Sequence, residues 1–135
     1  MSQPFDLERE FGSSAESLPA AITFVEMALA DLAAPEEVAE RALLAASEAV
    51  ANAIEHGNRG EEGRRFWVAV QRNDIAWQIR VRDEGQAIAN EDLQEAHLPS
   101  DPLQTHGRGL YIIRELANSV EVRLGALDMQ FSLRK

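Results

Sequence analysis

The sequence predicts an α+β two-layer sandwich, a mixed and mostly antiparallel sheet with its helices on one face, in a single domain over residues 1–135. Strand-like alternation appears at residues 5–11, 66–71, 75–83 and 120–133, whereas helix-like spacing fills residues 18–57 and 110–118. The resulting order, β-α-α-β-β-loop-α-β-β, gathers helices and strands separately instead of alternating them, which marks α+β over α/β. Within the strands, apolar and polar residues alternate cleanly, so one sheet face is to be covered and the other is to meet water.

The elements follow in order. Phe5, Leu7 and Phe11 share one side of a short first strand at a sheet edge. Ser13 and Glu16 have capping-box spacing ahead of a helix whose Leu18, Ile22, Val25, Leu29 and Leu32 repeat every three or four residues. Pro35, Glu36 and Glu37 suit the first turn of a second helix, where proline has no bond to lose and acids meet the positive dipole end. Gly57, Asn58 and Gly60 are expected to end it. Phe66, Val68 and Val70, then Ile75, Trp77, Ile79 and Val81, form a hairpin around a tight Asn73-Asp74 turn. Residues 83–104 lack periodicity and hold Gly85, Pro99 and Pro102, the pattern of a working loop or lid. Gly107-Arg108-Gly109 opens a helix with Leu110, Ile113 and Leu116/Ala117 buried, and two strands follow around Gly125-Ala126.

Composition excludes several functions. The chain has no cysteine, so it offers no disulfide, thiol nucleophile or Cys-based zinc site, and three scattered histidines make no metal cluster. A net charge of −10 argues against direct nucleic-acid binding and against docking on an anionic membrane. No apolar run reaches the length of a span and the N-terminus lacks a signal pattern, so a cytoplasmic location is expected. The cations are twelve arginines and one lysine, Lys135. Without a Gly-Lys pair there is no Walker phosphate loop, and any phosphate site must use arginine, backbone N–H groups, a helix end or a metal.

Three polar islands sit at element edges. On the second helix Glu48, Asn52 and His56 recur every fourth residue, with Arg41, Glu55 and Arg59 widening the stripe, opposite Leu43, Val50, Ala53 and Ile54. Alanines at 45, 49 and 51 leave room for something to lie against this helix. A carboxylate one turn before an amide can orient an attacking oxygen with the first and hold a hard cation with the second. Asp83-Glu84-Gly85 ends a strand, where an aspartate can accept a hydrogen bond from a ring amino group. Gly107-Arg108-Gly109 brings backbone close to a ligand at a helix start that favours an anion. Taken singly, each also reads as a solvated face, a turn or a cap.

Together, EAVANAIEHG, VRDEGQAI and HGRGLYII resemble the asparagine box and two glycine boxes of the ATP-binding fold shared by gyrase, histidine kinases and mismatch-repair ATPases. The short span between the glycine boxes is similar to the anti-sigma regulatory factor serine/threonine kinases, and the resemblance covers about residues 5–134. It implies ATP and Mg²⁺ as cofactors, with Glu48 as general base or orienter and Asn52 as the Mg²⁺ ligand. Asp83 would bind the adenine amino group, with Gly85 admitting the base. Gly107, Gly109 and the following backbone N–H groups, starting at Leu110, would cradle phosphate. Neutralisation of phosphate by Arg108 follows from chemistry, in a chain short of lysine.

The implied partners are an anti-anti-sigma (STAS-domain) protein substrate and a sigma factor or other regulator. A homodimer is possible through the first strand and helix, although core packing explains their apolar residues equally well. Two positions depart from the family pattern: Ile88 stands where an aromatic residue is frequent, and Thr105-His106 where a glycine often opens the second glycine box. His56 reads as a helix-end hydrogen-bonding group and His106 as lid surface or a pH-sensitive contact. Two other readings stay open on sequence alone: a non-catalytic, nucleotide-responsive binding module, and the ATP-binding half of a histidine kinase working in trans.

Overall fold

The computed structural model describes residues 7–57, 63–84, 108–123 and 125–134. Five strands, β1 (Leu7–Gly12), β2 (Arg65–Arg72), β3 (Trp77–Asp83), β4 (Ser119–Arg123) and β5 (Ala126–Phe131), form one sheet in the order β1-β2-β3-β5-β4. Every pairing among the described residues is antiparallel, so the parallel component expected of a mixed sheet is not among them. Helices α1 (Ser17–Asp31), α2 (Glu36–Asn52) and α3 (Arg108–Leu116) complete the α+β architecture. The first strand lies at an edge, as its sequence predicts.

The register explains the core. Phe66, Val68 and Val70 of β2, Ile79 and Val81 of β3, and Leu127, Met129 and Phe131 of β5 are buried on one sheet face. Against them lie Val25 and Leu29 of α1, Val38, Ala42, Ala46 and Val50 of α2, and Ile113 of α3. Phe11 stacks on Phe66 with ring centroids 5.3 Å apart and meets Phe24 of α1 edge-on at 6.2 Å, tying the edge strand to both layers. No described helix is long and apolar enough to cross a membrane.

The opposite face is polar, but two of its residues are buried. Ala69 is covered, and Asp128, only 3% exposed, is gripped by Arg80 at 2.5 Å with Arg123 at 3.6 Å. Beside them the Arg82 guanidinium lies 4.0 Å above the Trp67 ring, whose indole N–H donates to Glu10 at 2.9 Å. Long charged side chains therefore cover the sheet where helices do not.

Local details differ from the sequence reading in four places. The capping box does not form. Ser13 is 1% exposed, its N–H donates to the Arg64 carbonyl at 2.9 Å, and its hydroxyl has no partner among the described residues. Tied to the start of β2, Ser13 cannot cap α1, which begins four residues later with Glu16 at the N-cap and no side-chain cap bond. Pro35 is the N-cap of α2 and not a residue of its first turn, because its ψ of 156° is extended. The hairpin loop is also wider than a two-residue turn. Asn73 accepts the N–H groups of Ile75 and Ala76 through its side chain, so β3 starts at Trp77 and Ile75 is 80% exposed. At the other end of the chain β5 stops at Phe131, leaving Leu133 exposed beyond it.

The end of α1 gives a direct test of backbone strain. Ala33 has φ 59°, with the Ala34 N–H donating to the Leu29 carbonyl at 2.9 Å, a left-handed helix stop normally made by glycine. The free Leu32 carbonyl is taken by the Trp77 indole N–H at 2.8 Å and by Arg72 at 3.2 Å, so the stop is locked in place. Ala33→Gly is expected to stabilise the fold by about 1 kcal/mol, by relieving the Cβ–carbonyl clash of an L-residue in that region. A chemical denaturation midpoint that stays put or falls would show that the strain is absent.

Candidate functional site

The asparagine-box helix is built from two kinds of turn. Through Asn52 it is α-helical, which puts Glu48 and Asn52 one above the other. Residues Ala53–Gly57 form a π-helical turn, with more residues per turn. That turn begins directly after Asn52, and the side chain of His56 lies outside those described. Val50, Ala53 and Ile54 are buried, as the apolar face requires.

Helix α3 lies against this stripe. Leu110 and Ile113, with Ala117 just past its end, are buried and fix which side faces inward. That orientation lays Gly109 directly on the polar pair. A Cβ there would stand 3.1 Å from Glu48 Oε2 and 3.8 Å from Asn52 Nδ2. With no side chain at this position, the Glu48 carboxylate rests against the α3 backbone without being displaced. Leu110 buries its side chain in the core, so its contribution to any ligand is limited to its backbone N–H. Along the same helix the Glu115 carboxylate accepts the Tyr111 hydroxyl proton and raises the Tyr111 pKa above its ordinary value.

The strand-end aspartate reaches the same region from the sheet. Asp83 closes β3 and its N–H donates to the Gly125 carbonyl at 2.8 Å. Gly125, at φ 72°, makes the turn between β4 and β5 that brings this carbonyl to it. Asp83 lines a concavity with Ala49 and Ala53 from the asparagine-box helix and Val81, Gly125, Ala126 and Leu127 from the sheet, beside Arg123. The floor of this concavity is largely apolar, with Asp83 as the acidic residue at one side. The floor residues were not singled out in the sequence, where Ala49 reads as a spacer and Gly125-Ala126 as a turn. Only the register shows that they converge.

The structure thus brings together Glu48, Asn52 and Gly109, with Asp83 at the adjoining concavity. Gly85, Gly107, Ile88, Thr105 and His106 lie outside the described residues; Arg108 is placed as the first residue of α3.

One residue of the supposed polar stripe behaves differently. Arg41 is buried rather than solvated. It donates to Glu37 at 2.7 Å, to the Leu116 carbonyl at 2.8 Å, to Asn118 Oδ1 at 2.9 Å and to the Ser132 carbonyl. The i,i+4 spacing to Glu37 was visible, but the decisive acceptors are backbone carbonyls 75 and 91 residues away. No local pattern signals them.

Element order, one covered sheet face and the approach of α3 to the carboxylate–amide pair define the class, a histidine kinase-like nucleotide-binding domain. The chain belongs to the histidine kinase-like ATPase domain family, whose sequence profile matches residues 11–135. Over 80 residues it is also 39% identical to a protein named anti-sigma F factor from Oceanobacillus iheyensis. That alignment covers 56% of this chain and 53% of the relative, so the chain spans about half the length of the curated relative it matches. Both findings support the resemblance to the anti-sigma regulatory kinases read from the three boxes. Membership in an ATPase domain family makes ATP the ligand class of this fold.

Proposed function

We propose that the domain is a regulatory protein kinase. It binds Mg-ATP between α2, α3 and the end of β3, and transfers the γ-phosphoryl group to a serine or threonine of a small anti-anti-sigma (STAS-type) antagonist. It also holds a sigma factor or related regulator, which it exchanges with that antagonist. One observation carries the reading: Gly109, at the phosphate-side end of α3, lies on Glu48 and Asn52. The similarity to an anti-sigma F factor supports the choice of partners.

The residues fit the proposed ligands. The Asn52 amide oxygen is a hard donor suited to a cation that keeps most of its waters and phosphate oxygens, so Asn52 would hold Mg²⁺. When bound, that ion supplies neutralisation of phosphate charge. Asp83 accepts a hydrogen bond from the adenine amino group, and Gly85 gives the base room. Gly107, Gly109 and the N–H of Leu110 face phosphate at a helix N-terminus, with Arg108 adding positive charge. Glu48 orients the attacking hydroxyl and takes its proton as the oxygen–phosphorus bond forms and the bond to ADP breaks. Catalysis in this scheme is positioning plus charge neutralisation.

The test uses a fluorescent ATP analogue, γ-labelled ATP and the antagonist encoded nearest the gene. Glu48→Ala is expected to lose transfer by about 10²-fold or more while retaining nucleotide. Asn52→Ala and Asp83→Ala are each expected to weaken nucleotide binding by about tenfold, the worth of one well-placed polar contact. Transfer that survives Glu48→Ala would remove Glu48 from the chemistry. Saturable, metal-strengthened binding without any transfer would leave a nucleotide-responsive binding module.

A further inference from the structure

Helices α2 and α3 touch at two marked points. At one, Arg41 of α2 donates to the Leu116 carbonyl at the end of α3. At the other, Glu48 of α2 meets Gly109 at the start of α3. The points are seven residues apart on each helix, so the helices run antiparallel and the two spans match at about 10.5 Å. Seven residues is also close to two full turns, which places Arg41 and Glu48 on one stripe of α2. Between them on that stripe lies Ala45, fully buried and presenting only a methyl group. A methyl offers little ridge against sliding, so on this stripe the contacts at the two ends weigh most on the axial position of α3, beside the core packing of Leu110 and Ile113.

The Arg41 end is the more heavily built. Its guanidinium collects the Leu116 carbonyl, the Asn118 side chain, the Ser132 carbonyl and the Glu37 carboxylate. Arg134 adds bonds to the Glu115 and Leu116 carbonyls at 2.6 and 2.9 Å. Asn118 Oδ1 also accepts the Ser132 N–H at 2.8 Å, so the chain after β5 is bound into the same knot. A planar fork with five donors can serve several fixed acceptors at once, which an ammonium cannot do with the same geometry. Cations here also suit the negative end of the α3 dipole.

We propose that Arg41 is a positioning residue for the α2–α3 site: by holding the last carbonyl of α3, it sets how closely Gly109 seats on Glu48 and Asn52. The consequence for ligand affinity rests on the nucleotide-binding reading above; the consequence for α3 does not. A merely structural Arg41 would matter only through global stability. Arg80 supplies the contrast, because it holds the buried Asp128 on the opposite sheet face, away from α3.

The experiment compares Arg41→Ala, Arg41→Lys and Arg80→Ala at a temperature where circular dichroism shows each folded. It reads amide hydrogen exchange at residues 110–113 in nucleotide-free protein, and affinity for the fluorescent ATP analogue. Arg41→Ala is expected to speed exchange and weaken the analogue by about tenfold each, with Arg41→Lys between it and the parent. Arg80→Ala is expected to leave both within about twofold. The proposal is overturned if Arg80→Ala shifts both readouts as far, or if neither Arg41 variant moves exchange at the start of α3. Should Arg41→Ala not fold, Arg41→Lys decides on the same readouts. If the parent protein binds no nucleotide while the Arg41 variants still loosen residues 110–113, the functional reading fails and the positioning of α3 stands.

Discussion

On the proposed kinase function, Gly109→Ala is expected to lower phosphoryl transfer by up to about 10²-fold while leaving the protein as stable as before or more so. The two effects have separate causes. Alanine is the better helix former, and at an early position of α3 it gains up to about 1 kcal/mol over glycine. The new methyl, however, would sit 3.1 Å from Glu48 Oε2, closer than carbon and oxygen rest comfortably. The carboxylate is the free end of a flexible side chain, so it moves a few tenths of an ångström and the fold absorbs the contact at little cost. In the role proposed for Glu48, orienting an attacking hydroxyl, there is no such tolerance, since displacements approaching an ångström cost up to about 10² in rate. Thermal melts and a labelled-phosphate assay on the same preparation check both signs together. A variant that is more stable and equally active would show that the Glu48–Gly109 approach is packing and nothing else.

The sequence disclosed periodic features well and long-range ones poorly. The stripe of α1, the alternation of β2 and β3 and the buried side of α3 all rest on a residue's position relative to its near neighbours, and all appear as expected. Glu48 and Asn52 were legible because an α-helix puts the fourth residue above the first. The π-turn at Ala53–Gly57 was not legible, because it has no distinctive composition. Arg41 looked like one more surface charge because its partners are the Leu116 and Ser132 carbonyls, and a carbonyl has no residue identity to read. Asp128 shows the same limit. It sits at an outward-facing position of β5, and the guanidinium groups of Arg80, across the strand pair, and Arg123 make burial tolerable there. Ser13 was assigned to the helix after it, whereas its N–H was already committed to Arg64. The concavity beside Asp83 was invisible for a related reason, since Ala49, Ala53 and Leu127 become neighbours only once the helix lies on the sheet.

Phe66→Ala is expected to be the most damaging single truncation, costing about 3–5 kcal/mol. Phe66 is fully buried in β2, and its ring stacks on Phe11 at 5.3 Å. Phe11 in turn meets Phe24, so the three rings form a short ladder from β2 through the edge strand to α1. Removing the ring at the β2 end leaves Phe11 without its stacking partner and opens a cavity that a sheet, fixed by its hydrogen-bond ladder, cannot close. Backbone pairing, the Phe11–Phe24 contact and the bonds of Glu10 to Arg65 and Trp67 then hold β1, an edge strand with one neighbour. The loss also reaches the site, because Phe66 is the cross-strand partner of Asp83. Urea unfolding separates the possible outcomes. A lower midpoint at constant m-value means that the whole domain lost stability together, as one shared core requires. A reduced m-value with a modest shift in midpoint means that β1 and α1 had already detached, making the aromatic ladder a seam between two cooperative units. Phe66→Leu keeps most of the volume and is expected to cost less than half as much. An equal loss in the two variants would place the stabilisation in ring stacking and not in filled space.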